Sequence, residues 1–267
     1  MRWKRALAIV LRQMYLLRAS PARVVPLFAW VGIDIVLWGF ITKYLNTIVT
    51  RGFSFVPTIL GAVLLWDFMV RVMQGITTAF FEDVWTRNFL NVFATPLSIT
   101  EYISGLVLSS VITSSIGLII MLLLSTGVFG LSFFAYGIVM GAFLLVLFLF
   151  GIALGIFAAA VVLRLGPAAE WFIWPIPALL SPFAGVFYPL STLPAWMRGI
   201  AISLPASHVF EGMRAVVASG AASSAELLRG LGLALLYIAL AMWFFVKIYS
   251  IAVRDGLIAR YSAESVT

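Results

Sequence analysis

The sequence predicts an all-α integral membrane protein: six transmembrane helices, an N-terminal amphipathic helix in the membrane interface, and a re-entrant helical hairpin on the outer side before the last span. Three observations carry this prediction. The 267 residues are 63% hydrophobic and only 10% charged, with a mean hydropathy of +1.13, whereas soluble domains average about 25% charged residues. Long apolar runs recur, each sufficient for about 30 Å of hydrocarbon at about 1.5 Å per residue. The remaining charges gather mostly at the ends of those runs. No water-facing surface can be built from such a composition, and residues 1–267 read as one transmembrane domain.

The first element covers residues 1–20. Trp3, Leu7, Val10, Met14 and Leu17 recur at intervals of 4, 3, 4 and 3, which places them on one helical stripe, with Arg5 and Arg12 opposite. Such a helix lies in the interface plane with its basic side toward anionic headgroups. Arg12 and Arg18 interrupt the apolar region that a signal peptide would need, and Pro21 ends the helix. Spans follow at 24–44, 55–78, 103–126, 133–162, 169–189 and 228–250. The third and fourth carry small residues at intervals of four: Ser109, Thr113 and Gly117, then Gly137 with Gly141 and Gly151 with Gly155. Small residues let helix backbones approach closely, within one subunit or between two.

Six prolines (Pro175, Pro177, Pro182, Pro189, Pro194, Pro205) punctuate residues 170–210, too densely for one straight helix. Short helices over 196–202 and 207–218 are too brief to span. They form the predicted re-entrant hairpin, residues 190–222, tolerated where protein or a water-filled cavity satisfies the backbone. Orientation follows from the basic residues. Six of the 17 Lys/Arg precede the first span, and Arg87, Arg164, Lys247, Arg254 and Arg260 fall on the same side. The other side holds Lys43, Arg51, Arg198, Arg214 and Arg229. The excess puts both termini in the cytoplasm.

Several function classes are excluded. The net charge of +7 is dispersed along span ends and forms no nucleic-acid face. Without cysteine there is no disulfide, thiolate metal site or thiol redox chemistry. One histidine is too few for a metal site. No G-x-x-x-x-G-K-[ST] loop, G-x-S-x-G or H-E-x-x-H is present, so no catalytic residue, metal ligand set or cofactor is expected in this chain.

Three groups of residues remain as candidates. The stretch FEDVWTRNFLNVFATPLSITEY, residues 81–102, is cytoplasmic and polar between two spans. Read as a helix over 82–93, it aligns Trp85, Phe89 and Phe93 at intervals of four, with Glu82 and Arg87 at the rim of that row. Within spans one and two, Asp34, Asp67 and Arg71 lie at mid-depth. Asp67 and Arg71 are four apart, and Arg71 is expected to pair with one of the acids. In the hairpin, His208, Glu211 and Arg214 form a polar edge, with Arg198 and the lipid-facing Trp196, Met197 and Phe210 nearby.

Two longer motifs carry a resemblance. ATPLSITEYISG, residues 94–105, is similar to the "ATP-(small/Leu)-S…E" segment that follows the coupling helix in ABC type-2 permeases, the membrane subunits of bacterial ABC exporters. GVFYPLSTLPAWMRGIAISLPASHVFEGMR, residues 185–214, is similar to that family's "FYPxxxLPxWL…P…E-x-x-R" signature. Many members have Asn-Pro where this chain reads Leu204-Pro205. The resemblance covers nearly the full chain. It implies a permease homodimer or pseudo-dimer in the bacterial cytoplasmic (inner) membrane, bound to two cytoplasmic ABC ATPase subunits that carry ATP and Mg. Residues 82–93 would then be the coupling helix, the hairpin would guard the exit, and the cargo would be an amphipathic polysaccharide, lipid-linked glycan, lipid or drug. The rival expectations are an ion- or proton-coupled secondary transporter using Asp34, Asp67 and Arg71, and a structural or assembly membrane protein that moves nothing.

Overall fold

The computed structural model describes residues 3–48, 56–86, 88–131, 137, 139–220 and 223–256, and every regular element among them is helical. Two helices make the centre: α3 (Gly61–Trp85), entered through a π-helical turn at Val56–Leu60, and α6 (Val139–Leu165). They meet because α6 is small where α3 is bulky. A Cβ on Gly151 would lie 2.7 Å from the Met69 carbonyl oxygen, and one on Gly155 would lie 2.9 Å from Ile76 Cβ. The Gly151/Gly155 face therefore packs within the chain, whereas Gly141 has nothing within 4 Å of such a Cβ.

Around this pair lie α1 (Trp3–Ala19), α2 (Pro21–Ile48) and α5 (Ile99–Phe129) on the α3 side. On the α6 side lie α10 (Pro205–Ser219) and α11 (Ser224–Arg254). The start of α5 is written locally. Ser98 Oγ accepts from the Glu101 N–H, and Glu101 Oε2 accepts from the Ser98 N–H at 3.1 Å, a reciprocal cap that ends the loop after Pro96. Gly130, at φ +68°, closes the other end in a conformation that favours glycine.

Four helices among the described residues are long and apolar enough to cross a membrane: Thr58–Trp85, α5, α6 and α11. They mark the chain as an all-α membrane protein. The most apolar windows of α3 and α6 are 72% buried within the chain, against 33% for α5 and 22% for α11, so the last two leave wide apolar faces for lipid or protein.

Three expectations need correction. The single fifth span over 169–189 is not formed. The chain makes α7 (Glu170–Ile173) and α8 (Ile176–Ala184), broken at Trp174-Pro175, where proline lacks the N–H that would continue the helix. The predicted helix over 82–93 is also divided: α3 runs on to Trp85, and a separate short helix, α4 (Phe89–Phe93), follows. Finally, two short helices, α9 (Ala195–Ile202) and α10, form where the hairpin was expected, but Phe210 does not face lipid. It is fully buried, with its ring 6.1 Å from that of Trp66.

Candidate functional site

A polar stripe organises the site. On α3, Asp67, Arg71, Gln74, Thr78 and Glu82 follow one another at helical spacing and line a cavity of about 560 Å³. From first to last the stripe spans about 22 Å at about 1.5 Å per residue. From α5, Ser109, Ser110 and Thr113 complete the polar wall. Asp34 and Trp30 enter from α2, Gln13, Met14 and Leu17 from α1, and Trp174 from the break after α7. A second concavity, along Ile33, Leu37, Phe40 and Tyr44 of α2, has no charged group among its described lining residues to orient a ligand.

The structure gathers Asp34, Asp67 and Arg71 around one cavity, as the sequence suggested, but the expected ion pair is absent. Among the described residues no carboxylate pairs with Arg71 within 4 Å. Asp67 Oδ2 and Arg71 Nε are buried without a hydrogen-bond partner in the described chain, as is Gln13 Nε2. The reason lies on another helix. The Arg71 side chain crosses Gly117 of α5, where an added Cβ would sit 2.6 Å from Arg71 Cδ. The groove left by Gly117 draws the guanidinium toward α5, away from the same-face partner that spacing along α3 supplies.

At the end of the stripe nearest α4, α1 is clamped to α3 and α5. Asp83 is fully buried and binds the Arg12 guanidinium through both oxygens, one contact being 2.9 Å from Nη1. It also accepts from the Tyr102 hydroxyl at 2.7 Å. Arg5 bonds Glu101 at 3.4 Å. The hydrogen bond to Asp83 raises the Arg12 pKa above its ordinary value, outweighing the opposing effect of burial. Arg5 and Arg12 thus face protein rather than headgroups, which corrects the expected orientation of α1. Ala6, Ile9, Val10 and Gln13 are the buried face, with Ile9 against Gly105, while Trp3, Leu7, Leu11 and Tyr15 are exposed. Of the predicted apolar stripe, Trp3 and Leu7 are exposed but Val10 is buried and Met14 and Leu17 line the cavity, because the stripe rule had no sight of two carboxylates far along the chain.

Residues assigned to a partner-binding row separate. Trp85 is half exposed, stacked on Phe81 at 5.2 Å. Phe89 is buried against Phe80 and Tyr102, with ring centroids at 5.2 and 5.9 Å, so it belongs to the core. Glu82 lines the cavity instead of standing at a rim. Arg87 and the Phe93 side chain lie outside the described residues.

No protein-family model matches the chain, and no curated protein matches it.

The hairpin residues are bonded inward, which corrects the expected solvated edge. His208 is buried, its Nδ1 2.6 Å from Glu226 Oε2 and its Nε2 2.9 Å from the Ile202 carbonyl. Glu211 accepts from the Leu190 N–H at 2.7 Å and from Arg214, which also donates to the Gly185 carbonyl at 2.8 Å. Arg198 donates to the carbonyls of Leu190, Ser191 and Leu193. These side chains hold the 185–193 loop in shape, and Trp196 stands exposed. Among the described residues no three carboxylates or imidazoles converge as a metal site.

Sequence reasoning missed Asp83, Arg12 and Tyr102 as one network, and Gln13, Gln74 and Thr78 as cavity wall. The α3 residues could have been found, since the polar positions from Asp67 to Glu82 recur at intervals of 4, 3, 4 and 4.

Proposed function

We propose that this chain is the permease subunit of an ATP-driven exporter in a bacterial cytoplasmic membrane, of the ABC type-2 kind that its 94–105 and 185–214 motifs resemble. In this reading α2 and the broken α7–α8 pair join the four long helices to give six spans. The α9–α10 pair is the outer re-entrant hairpin, and both termini are cytoplasmic. Two copies bind two ABC ATPase subunits, which supply the nucleotide, Mg and catalysis, and an amphipathic cargo moves outward.

One observation carries most of the reading. The helices joined by residues 86–98, α3 and α5, both line the polar cavity, and both are pinned to α1 at that same end through Asp83 and Glu101. A push on this connection would therefore be delivered to the cavity walls through a rigid, ion-paired joint rather than lost in a loop. The stacked, exposed Trp85 is the anchor offered to the ATPase. A second reading, an ion- or proton-coupled transporter, is favoured by the unpaired polar atoms of Asp67 and Arg71.

The test is purification of the tagged chain from its native membrane in mild detergent. A stoichiometric P-loop ATPase with vanadate-sensitive hydrolysis is expected, and Trp85→Ala should release it without unfolding the permease. Absence of any such ATPase, together with proton flux in liposomes holding the chain alone, would overturn the exporter in favour of the second reading.

A further inference from the structure

We propose that the cavity between α1, α2, α3 and α5 binds the ammonium group of an amphipathic amine that carries a hydrogen-bond-accepting oxygen beside it. The charges point to a cation. Asp34 and Asp67 enter from different helices, and among the described residues the guanidinium beside them, Arg71, pairs with neither. Among the described lining residues around Arg71 these two acids outnumber the base, and an anion is disfavoured.

The unpartnered atoms supply the second half of the argument. Gln13 is 5% exposed, lines the cavity, and has an Nε2 without a partner. It offers an N–H to an acceptor oxygen, as Arg71 Nε does, while Asp67 Oδ2 offers a lone pair to an N–H. Leaving Asp67 Oδ2 and Arg71 Nε unsatisfied at membrane depth is costly, and because they lie one turn apart on α3 a ligand bearing an ammonium and an adjacent oxygen suits the two together. Trp30 and Trp174 give aromatic faces for the apolar body and for the cation itself. At about 560 Å³ the space is of the size that holds small molecules. A bare divalent cation fits poorly, since no three carboxylates or imidazoles converge among the described residues and such ions take six or more oxygens.

The ammonium has two possible sources, a cargo amine or the ethanolamine headgroup of a membrane lipid. As a cargo site the proposal rests on the exporter reading. The binding test needs no ATPase, so failure of binding and failure of export are read separately.

The experiment measures equilibrium binding of labelled sphinganine, an amphipathic amine with hydroxyls beside the nitrogen, to the full chain in phosphatidylcholine nanodiscs. Saturable binding is expected, displaced by octadecylamine but not by octadecanol or octadecanoate. Asp34→Asn and Asp67→Asn should each weaken it about tenfold or more, as loss of a charge-assisted contact does. Sphinganine should bind more tightly than octadecylamine, because only sphinganine carries the oxygen. Displacement by phosphatidylethanolamine discs would assign the site to a lipid headgroup, and its absence to a cargo amine. Equal binding of octadecanol, which needs no variant to observe, would overturn the proposal. So would unchanged affinity in both Asp→Asn variants.

Discussion

Replacing Arg12 with leucine tests the clamp that joins α1 to α3. The change leaves Asp83 fully buried, still bonded to Tyr102 but without a cation. Stranding one member of a buried pair costs about 3–5 kcal/mol. The Arg12 side chain keeps 28% of its surface exposed, so water already screens part of the attraction, and a loss of about 3 kcal/mol is expected. Adding Asp83→Asn removes the stranded charge and should return at least about 1 kcal/mol. Tyr102→Phe, which deletes one hydrogen bond to the same carboxylate, should cost about 1.5–3 kcal/mol. The assay is reversible unfolding in mixed dodecylmaltoside and dodecylsulfate micelles, followed by circular dichroism, for the two single changes and the pair. A loss below about 1 kcal/mol for Arg12→Leu would refute the clamp. Equal stability of the single and double variants would refute the claim that a stranded carboxylate is the cause.

Other predictions divide positions that the sequence treats alike. Gly151→Ala drives a Cβ to 2.7 Å from the Met69 carbonyl and should cost about 1–3 kcal/mol in the same unfolding assay. Gly141→Ala, with open space around it, should stay within about 0.5 kcal/mol. Phe89→Ala should cost about 3–5 kcal/mol as a core truncation, whereas Trp85→Ala should leave stability nearly unchanged. Equal destabilisation by the two would return both to one face. His208→Ala frees the Ile202 carbonyl and Glu226 from their imidazole partner and should cost about 1–3 kcal/mol, read as loss of folded protein on heating.

Local rules made much of the fold readable. Pro21 and Pro175 break helices where their missing N–H demands it, and Ser98 with Glu101 writes the start of α5 in four residues. The apolar content alone called a membrane protein. What the sequence could not reveal was which neighbour each polar group would choose. Arg71 and Asp67 share a face of α3, and spacing pairs them, but the decisive residue was Gly117, a gap on a different helix. Arg5 and Arg12 look like headgroup ligands until Glu101 and Asp83 are brought beside them. His208 likewise reads as a surface residue until Ser223 starts α11 and sets Glu226 against it. In each case the local pattern placed the side chain on the correct helix, and a partner remote in sequence decided its direction.

The clamp also orders events during synthesis. Arg12 and Asp83 are 71 positions apart, and Arg5 and Glu101 are 96 apart. When α1 leaves the ribosome, neither of its acids exists, so it has nothing to dock on. Its Trp3, Leu7, Leu11 and Tyr15 face is then what keeps it at the lipid surface. Only when α3 and the start of α5 have been threaded into the bilayer can the two arginines trade headgroups for carboxylates. Although made before α3 and α5, α1 thus finds its place only after them, and its docking certifies that the helices walling the cavity have arrived.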